Sequence, residues 1–184
     1  MGRKIVLALA LLFWMVAAAL YLTAMLTDSW SRIEIPAISL LDTSDVSVQT
    51  NGLFKTCVNV FFGITCTNQG WNPDEVPTAI FIPRIIMLAA GALVALGLLF
   101  GIVGLCASQS CPVITEGVLG IVGGLLVFAA CGTYTALNIS NNQLVDAFTD
   151  NTFQYSFYLA WVSGLMFIIA GVCDIIAGKS QSHY

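Results

Sequence analysis

The stretch WSRIEIPAISLLDTSDVSVQTNGLFKTCVNVFFGITC, residues 30–66, decides the class of this protein. It carries a tryptophan at its start, the triplet Gly52-Leu53-Phe54 in its second half, and the cysteines Cys57 and Cys66 near its end. The chain has only four long apolar stretches, and this segment lies between the first two. A four-span frame with a loop tryptophan and a cysteine pair on one side restricts the class of protein more than any catalytic motif in the chain.

The composition indicates an integral membrane protein. Hydrophobic residues make up 58% of the 184 residues, charged residues only 9%, and the mean hydropathy is +0.91. Ordinary soluble domains carry about 25% charged residues. A chain this apolar is expected to have lipid as its surroundings.

Four membrane spans are predicted, over residues 5–27, 81–107, 118–137 and 157–177. At a rise of about 1.5 Å per residue, the first span is long enough to cross a hydrocarbon core of about 30 Å. Its apolar run is also much longer than that of a cleaved signal peptide, so we expect it to be retained as a helix. An external segment (28–80), a turn (108–117), a second external loop (138–156) and a tail (178–184) complete a single domain.

Basic residues at the ends of the chain predict that both termini are cytoplasmic. Arg3 and Lys4 precede the first span and Lys179 follows the last, and cytoplasmic segments near spans are enriched in such residues. The opposite topology places Arg32 and Lys55 inside, but their segment is long and rich in acids. We therefore expect a multi-pass plasma-membrane protein with segments 28–80 and 138–156 outside.

The first external segment predicts a small antiparallel sheet closed by a disulfide. Its short β-type runs cover 32–38, 46–49, 53–60 and 61–67, and polar or turn residues separate them. Cys57 and Cys66 lie on two runs divided by Gly63, a separation that a hairpin can close. In an oxidising compartment such a bridge stabilises by about 3 kcal/mol in the chain-entropy picture.

The other four cysteines predict different chemistry. Cys131 and Cys173 fall within spans and read as buried thiols, whereas Cys106 and Cys111 flank the cytoplasmic turn and are candidate palmitoylation sites. We expect no zinc site, because the membrane separates these ligands from one another. Asn138 begins a formal glycosylation sequon, but it lies so near the membrane that we do not expect the transferase to reach it.

The motifs around these cysteines resemble the signature of the claudin superfamily. The resemblance extends over the whole chain, and it implies a left-handed four-helix bundle under a sheet of four strands from the first external segment and one from the second, near residues 151–154. Phe54 stands where the superfamily has a tryptophan, so the ring is kept but the indole N–H is lost. The matching residues are Trp30, Gly52, Leu53, Phe54, Cys57, Cys66 and Arg84.

The entry to the fourth span resembles one branch of that superfamily. Tyr155, Ser156 and Trp161 lie in a segment that is less similar to true claudins than to peripheral myelin protein, the epithelial membrane proteins, the lens fibre intrinsic membrane protein and the natural killer cell granule protein. The resemblance implies that Trp30, Leu53 and Phe54 anchor the sheet in the outer mouth of the bundle.

Few polar groups lie within the spans. Arg84 is the only basic one, and we interpret it as a strut between bundle and sheet, with the lining of an ion pathway as the alternative. Asp174, near the cytoplasmic end of the fourth span, needs a partner, which Arg3, Lys4 or Lys179 can supply. Glycines four residues apart, at 97 and 101 and at 120 and 124, predict close helix contacts within the monomer, or alternatively a dimer face.

These features favour a protein that makes contacts and exclude most other functions. No catalytic constellation is present, the single histidine is next to last in the chain, and six scattered basic residues give no face for nucleic acid. We therefore predict no enzyme activity, no cofactor and no nucleic-acid partner. The main hypothesis is a tetraspan that organises cell–cell or membrane contacts at junctions through its sheet and by lateral association.

Its expected partners are membrane lipids and either a second copy or other tetraspan proteins, in cis or in trans. Two alternatives remain open at this point. One is an auxiliary subunit of an ion channel or receptor within the bilayer. The other is a paracellular barrier or cation-selective pore, suggested by the acids of the external loops, which are Asp28, Glu34, Asp42, Asp45, Asp74, Glu75, Asp146 and Asp150.

Overall fold

The structure is a computed structural model that describes residues 3–35, 47–60, 63–73, 76–107, 110–142 and 150–180. Features predicted at residues 36–46, 61–62, 74–75, 108–109, 143–149 and 181–184 lie outside the described residues. The helices are α1 (Arg3–Leu26), α2 (Thr78–Ala107), α3 (Ser110–Asn142) and α4 (Tyr155–Lys179). The strands are β1 (Ser31–Ile35), β2 (Ser47–Asn51), β3 (Lys55–Val60), β4 (Gly63–Asn68) and β5 (Asp150–Phe153).

Each of the four helices is long and apolar enough to cross a membrane. Helix α3 begins at Ser110, eight residues before the predicted start of the third span at 118. Pro112 is compatible with this early start, because it lies in the first turn, where its missing N–H has no helical partner to lose. The turn between the second and third helices is correspondingly shorter than the predicted 108–117.

The four helices pack as a bundle, with α1 against α4, α4 against α3, and α3 against α2. Tyr21 joins α1 to α2 through a hydrogen bond from its hydroxyl to the Met87 carbonyl, 2.5 Å long. A side chain at Gly124 would begin 2.6 Å from the Gly164 carbonyl, so α3 and α4 approach within backbone contact there. The prediction of close helix contacts within one chain is confirmed.

The sheet has five antiparallel strands in the order β4-β3-β2-β1-β5. Four strands come from the segment between α1 and α2, and β5 comes from the segment between α3 and α4, as predicted. The β-type runs of these segments form one sheet, and the bundle gives that sheet an apolar surface to cover.

The sheet covers one end of the bundle. We call the bundle end at Leu26, Thr78, Asn142 and Tyr155 the sheet end, and the opposite end the far end. Sheet and bundle share one hydrophobic core, since Trp30 and Leu53 belong to the same buried cluster as residues of all four helices. The predicted claudin-like architecture of helices and sheet is confirmed.

Candidate functional site

The junction between sheet and bundle collects most of the residues that the sequence singled out. Trp30 lies four residues after the end of α1, directly before β1, and is completely buried. Its indole Nε1 donates to the Ala24 carbonyl of α1 at 2.6 Å. Its ring meets those of Tyr134 on α3 and Phe157 on α4 edge-on, at centroid distances of 5.2 and 6.0 Å. One side chain therefore ties three helices to the start of the sheet.

Hydrogen bonds on both sides of Trp30 continue this connection. The Trp30 amide donates to Asn51, and the Trp30 carbonyl accepts from the Gln154 amide, both at 3.0 Å. The Tyr134 hydroxyl donates to Ser31 Oγ at 2.9 Å. The first strand is thereby held by β2 on one side and by the entry to α4 on the other.

Of the three residues that resemble one branch of the superfamily, only Ser156 belongs to the junction. It is fully buried, and its hydroxyl lies 2.6 Å from the Thr27 hydroxyl at the end of α1. Tyr155 and Trp161 of α4 are both exposed. Trp161 nevertheless packs against Phe128 of α3, with ring centroids 5.1 Å apart.

Gly52 and Leu53 bring the loop between β2 and β3 onto the chain just after α1. A β-carbon at position 52 would lie 2.6 Å from Asp28 Cα and 2.7 Å from the Thr27 carbonyl oxygen, so only glycine fits. Leu53 is completely buried in the shared core. This close approach explains the first two residues of the Gly52-Leu53-Phe54 triplet.

Arg84 connects α2 to the sheet. Its side chain is completely buried, and its guanidinium donates to the Leu53 carbonyl at 2.6 Å, the Gly70 carbonyl at 2.8 Å and Gln69 Oε1 at 2.7 Å. All three acceptors are neutral oxygens. The interpretation of Arg84 as a strut fits this geometry. The alternative, a residue that lines an ion pathway, does not fit it, because the Arg84 side chain has no exposed surface.

Two aromatic rings flank the Arg84 guanidinium. Its central carbon lies 5.2 Å from the ring centroid of Phe54 and 5.3 Å from that of Trp71. The Phe54 ring is thus within range of a cation–π contact, although it lacks the indole N–H of the tryptophan that the superfamily has at this position. Trp71 was missed in the sequence, although it is a second tryptophan in the same external segment.

The predicted disulfide is formed between Cys57 and Cys66. The two residues face each other in the register of β3 and β4, with their Cα atoms 4.0 Å apart. An oxygen of the Asp28 carboxylate lies 2.9 Å from Cys57 Sγ. Asp28 and the two cysteines have the spacing of a metal-ligand group, but sulfurs joined to each other are not available as thiolate ligands.

Removing the disulfide is expected to lower the free energy of unfolding by about 3 kcal/mol, because the open chain between β3 and β4 gains conformational freedom when it unfolds. The change is the double variant C57A/C66A, and the measurement is thermal unfolding in detergent micelles. Cys111→Ala is the matched control, since Cys111 is a free and exposed cysteine. Equal loss in the control and the double variant would contradict this prediction.

The remaining candidate residues lie away from the junction. Cys131 is buried in α3 and Cys173 is half-buried in α4. Cys111 is exposed at the far end, and the side chain of Cys106 lies outside the description, so palmitoylation stays a prediction. Asn138 lies on α3, near its sheet end.

Most acids of the proposed cation pore are not described. Asp42, Asp45, Asp74, Glu75 and Asp146 lie outside the described residues, and the side chains of Glu34 and Asp150 on the strands are not described either. Asp28, the remaining one, lies against the disulfide. The pore hypothesis therefore gains no support from the geometry.

Comparison with known proteins agrees with this architecture. The sequence profile of the PMP-22/EMP/MP20/Claudin family matches residues 3–173, which contain all five strands, α1 to α3 and most of α4. No individual curated protein matches the chain significantly. The assignment to one branch of this family stays a prediction. The four apolar helices, the five-stranded sheet, the bridged cysteines and this match together show that the chain is a membrane protein of the PMP-22/EMP/MP20/Claudin family, whose members are non-enzymatic.

Proposed function

We propose that this protein organises contacts at the plasma membrane by pairing the edge of its sheet with a second copy or with a related tetraspan protein. The sheet end faces outward in this proposal, and both termini are cytoplasmic. The observation that carries it is the state of β4, an edge strand in which every residue is exposed. Such an edge offers backbone N–H and C=O groups to another strand.

The composition of β4 favours pairing. Natural edge strands are usually protected by charged side chains, by proline or by bulges. The strand Gly63–Asn68 contains no charged residue and no proline, and Ile64 is 71% exposed. Trp71 follows three residues after the strand and is 58% exposed, which adds an aromatic surface next to the edge.

The rest of the structure holds this edge in place. The disulfide fixes β4 to β3, and β3 continues through β2 and β1 to the buried Trp30. Arg84 binds the Gly70 carbonyl, just beyond the end of β4. A rigid edge loses little conformational entropy when it pairs, which favours binding.

Charging the edge is expected to abolish the contacts. In the variant Ile64→Glu, carboxylates meet when two β4 edges pair, and like charges on paired strands repel. The measurement is the aggregation of non-adherent cells that express the protein, together with crosslinking by an amine reagent that does not cross membranes. In this proposal the reagent reaches Lys55, which is exposed on β3 next to β4. It does not reach Lys4 and Lys179, because they lie at the far end, on the cytoplasmic side.

The matched control is Thr152→Glu, which adds the same charge to β5 at the opposite edge of the sheet. We expect wild-type aggregation and crosslinking in this control, and loss of at least 80% of both in Ile64→Glu. Lys55→Gln identifies the crosslinked site. Ile64→Glu behaving like the wild type at equal surface density would overturn the proposal.

A further inference from the structure

A cavity of about 300 Å³ lies at the far end of the bundle, remote from the sheet. Helix α1 contributes Leu7, Leu11 and Trp14, and α3 contributes Val113, so most of the wall is apolar. Two carboxyl groups also line it, Glu116 from α3 and Asp174 from α4. The cavity has the volume of a small-molecule site at the lower end of the usual range, about 300–1,000 Å³.

The two acids differ in how they are satisfied. Asp174 is 2% exposed and accepts a hydrogen bond of 2.7 Å from Trp14 Nε1. Of the expected basic partners, Lys179 is exposed at the end of α4, and the side chains of Arg3 and Lys4 lie outside the description. Glu116 is 9% exposed, and none of the described side chains, which do not include those of Arg3 and Lys4, donates a hydrogen bond to it or pairs with its charge.

The sequence makes room for the Glu116 carboxyl. A β-carbon at Gly101 would collide with both carboxyl oxygens of Glu116 and with the carbon between them, so a side chain there is incompatible with this position of the acid. Glu116 thus lies against the backbone of α2 and borders the cavity. A buried carboxylate without a partner is costly, because water no longer solvates it and nothing replaces the water.

A cation in the cavity would compensate both acids. The Glu116 carboxylate and the free lone pairs of Asp174 supply negative charge, and the Trp14 ring adds a surface that attracts cations. A hard metal ion such as Ca²⁺ requires about 6–8 oxygen ligands, which two side chains in an apolar wall do not offer. An ammonium group with a hydrocarbon body fits both the acids and the apolar wall.

We propose that this cavity binds a small apolar amine, with the protonated nitrogen at Glu116 and Asp174 and the hydrocarbon body against Leu7, Leu11 and Val113. Amphipathic amines concentrate in bilayers, so a ligand of this class reaches the site from the lipid. The site is independent of the β4 edge, and its test does not depend on the outcome of the contact experiment.

The test is calorimetric titration of the purified full-length protein in lipid nanodiscs with 1-adamantanamine, a compact cage that carries one ammonium group. The neutral control ligand is 1-adamantanol, which has nearly the same shape. We expect saturable binding of one amine per protein and at least tenfold weaker binding of the alcohol. Empty nanodiscs measure the partitioning of each ligand into lipid, which is subtracted.

Two variants separate charge recognition from cavity shape. Glu116→Gln keeps the shape and is expected to weaken amine binding at least tenfold while leaving the alcohol unchanged. Ala8→Phe keeps both acids and is expected to abolish saturable binding, because Ala8 is an exposed residue of the lining and a larger side chain there fills the cavity. If Glu116→Gln does not fold, Asp174→Asn takes its place, and the same weakening of amine binding is expected.

Equal affinity for amine and alcohol would overturn the proposal, since it would report an apolar cavity without recognition of charge. Amine binding that is unchanged in both Glu116→Gln and Ala8→Phe would place the ligand elsewhere and overturn it as well.

Discussion

Replacing Arg84 by methionine is expected to lower the free energy of unfolding by roughly 3 kcal/mol. Methionine keeps an apolar stem of similar length but removes the three hydrogen bonds of the guanidinium. The Leu53 carbonyl is then left buried without a donor, while those at Gly70 and Gln69 lie nearer the surface and recover part of the loss through water. The contacts of the cation with the Phe54 and Trp71 rings disappear as well.

The measurement is thermal or denaturant unfolding in mild detergent, followed by tryptophan fluorescence. Arg84→Lys is expected to lose less, because it keeps the charge but not the planar fork that reaches three acceptors at once. The matched control is Lys55→Met, which removes a positive charge from an exposed position on β3. A stable Arg84→Met variant, or one no worse than Lys55→Met, would show that Arg84 is not the strut.

Arg84 also shows which part of the junction the sequence can predict. Its position as the only basic residue in a span was visible directly, because charge in lipid requires a partner. Its partners could not be predicted, because Gln69 and Gly70 come close to Arg84 only when the chain after β4 folds back onto α2. Trp71 was missed for the same reason, as its contact with the guanidinium depends on tertiary placement rather than on a local pattern.

The sheet was predictable to a similar extent. Short β-type runs separated by polar or turn residues predicted the four strands of the first segment, and the predicted bridge joins Cys57 and Cys66, which face each other on two of them. The strand ends differ by a few residues, as at β3, which begins at Lys55 rather than at 53. Hydrogen bonds with neighbouring strands decide such ends, and they are not encoded in one strand alone.

The far end of the bundle was predicted least well. Electrostatic reasoning near the end of α4 suggested a basic partner for Asp174, but it did not anticipate the hydrogen bond from the indole of Trp14, 160 residues earlier in the chain. An apolar periodicity does not distinguish a tryptophan that only fills space from one that also donates a hydrogen bond. The packing of α1 against α4 makes that distinction.

Replacing Trp30 by alanine is expected to have the largest effect of any single substitution at the junction, a loss of roughly 3–5 kcal/mol. The side chain is completely buried, so its removal leaves a cavity between the rings of Tyr134 and Phe157. The Ala24 carbonyl also loses its donor. That carbonyl is one of the last four of α1, which have no partner within their own helix.

Two further variants divide this effect into its causes. Trp30→Phe keeps most of the ring but lacks the N–H, so we expect a loss of about 1–2 kcal/mol from the unsatisfied Ala24 carbonyl and the smaller volume. Trp161→Ala is the matched control, because Trp161 is the same residue on α4 but is 38% exposed. We expect its effect to be well below that of Trp30→Ala.

The order of these three variants tests how the sheet is attached. If Trp30 fastens β1 to three helices at once, alanine destabilises most, phenylalanine less, and Trp161→Ala least, as measured by unfolding in detergent. Trp30 and Arg84 hold opposite sides of the sheet, through β1 and through the chain after β4, and no hydrogen bond joins them directly. Their effects should therefore add in the double variant, whereas a double variant no less stable than Trp30→Ala alone would mean that the sheet detaches as one unit once either side is released.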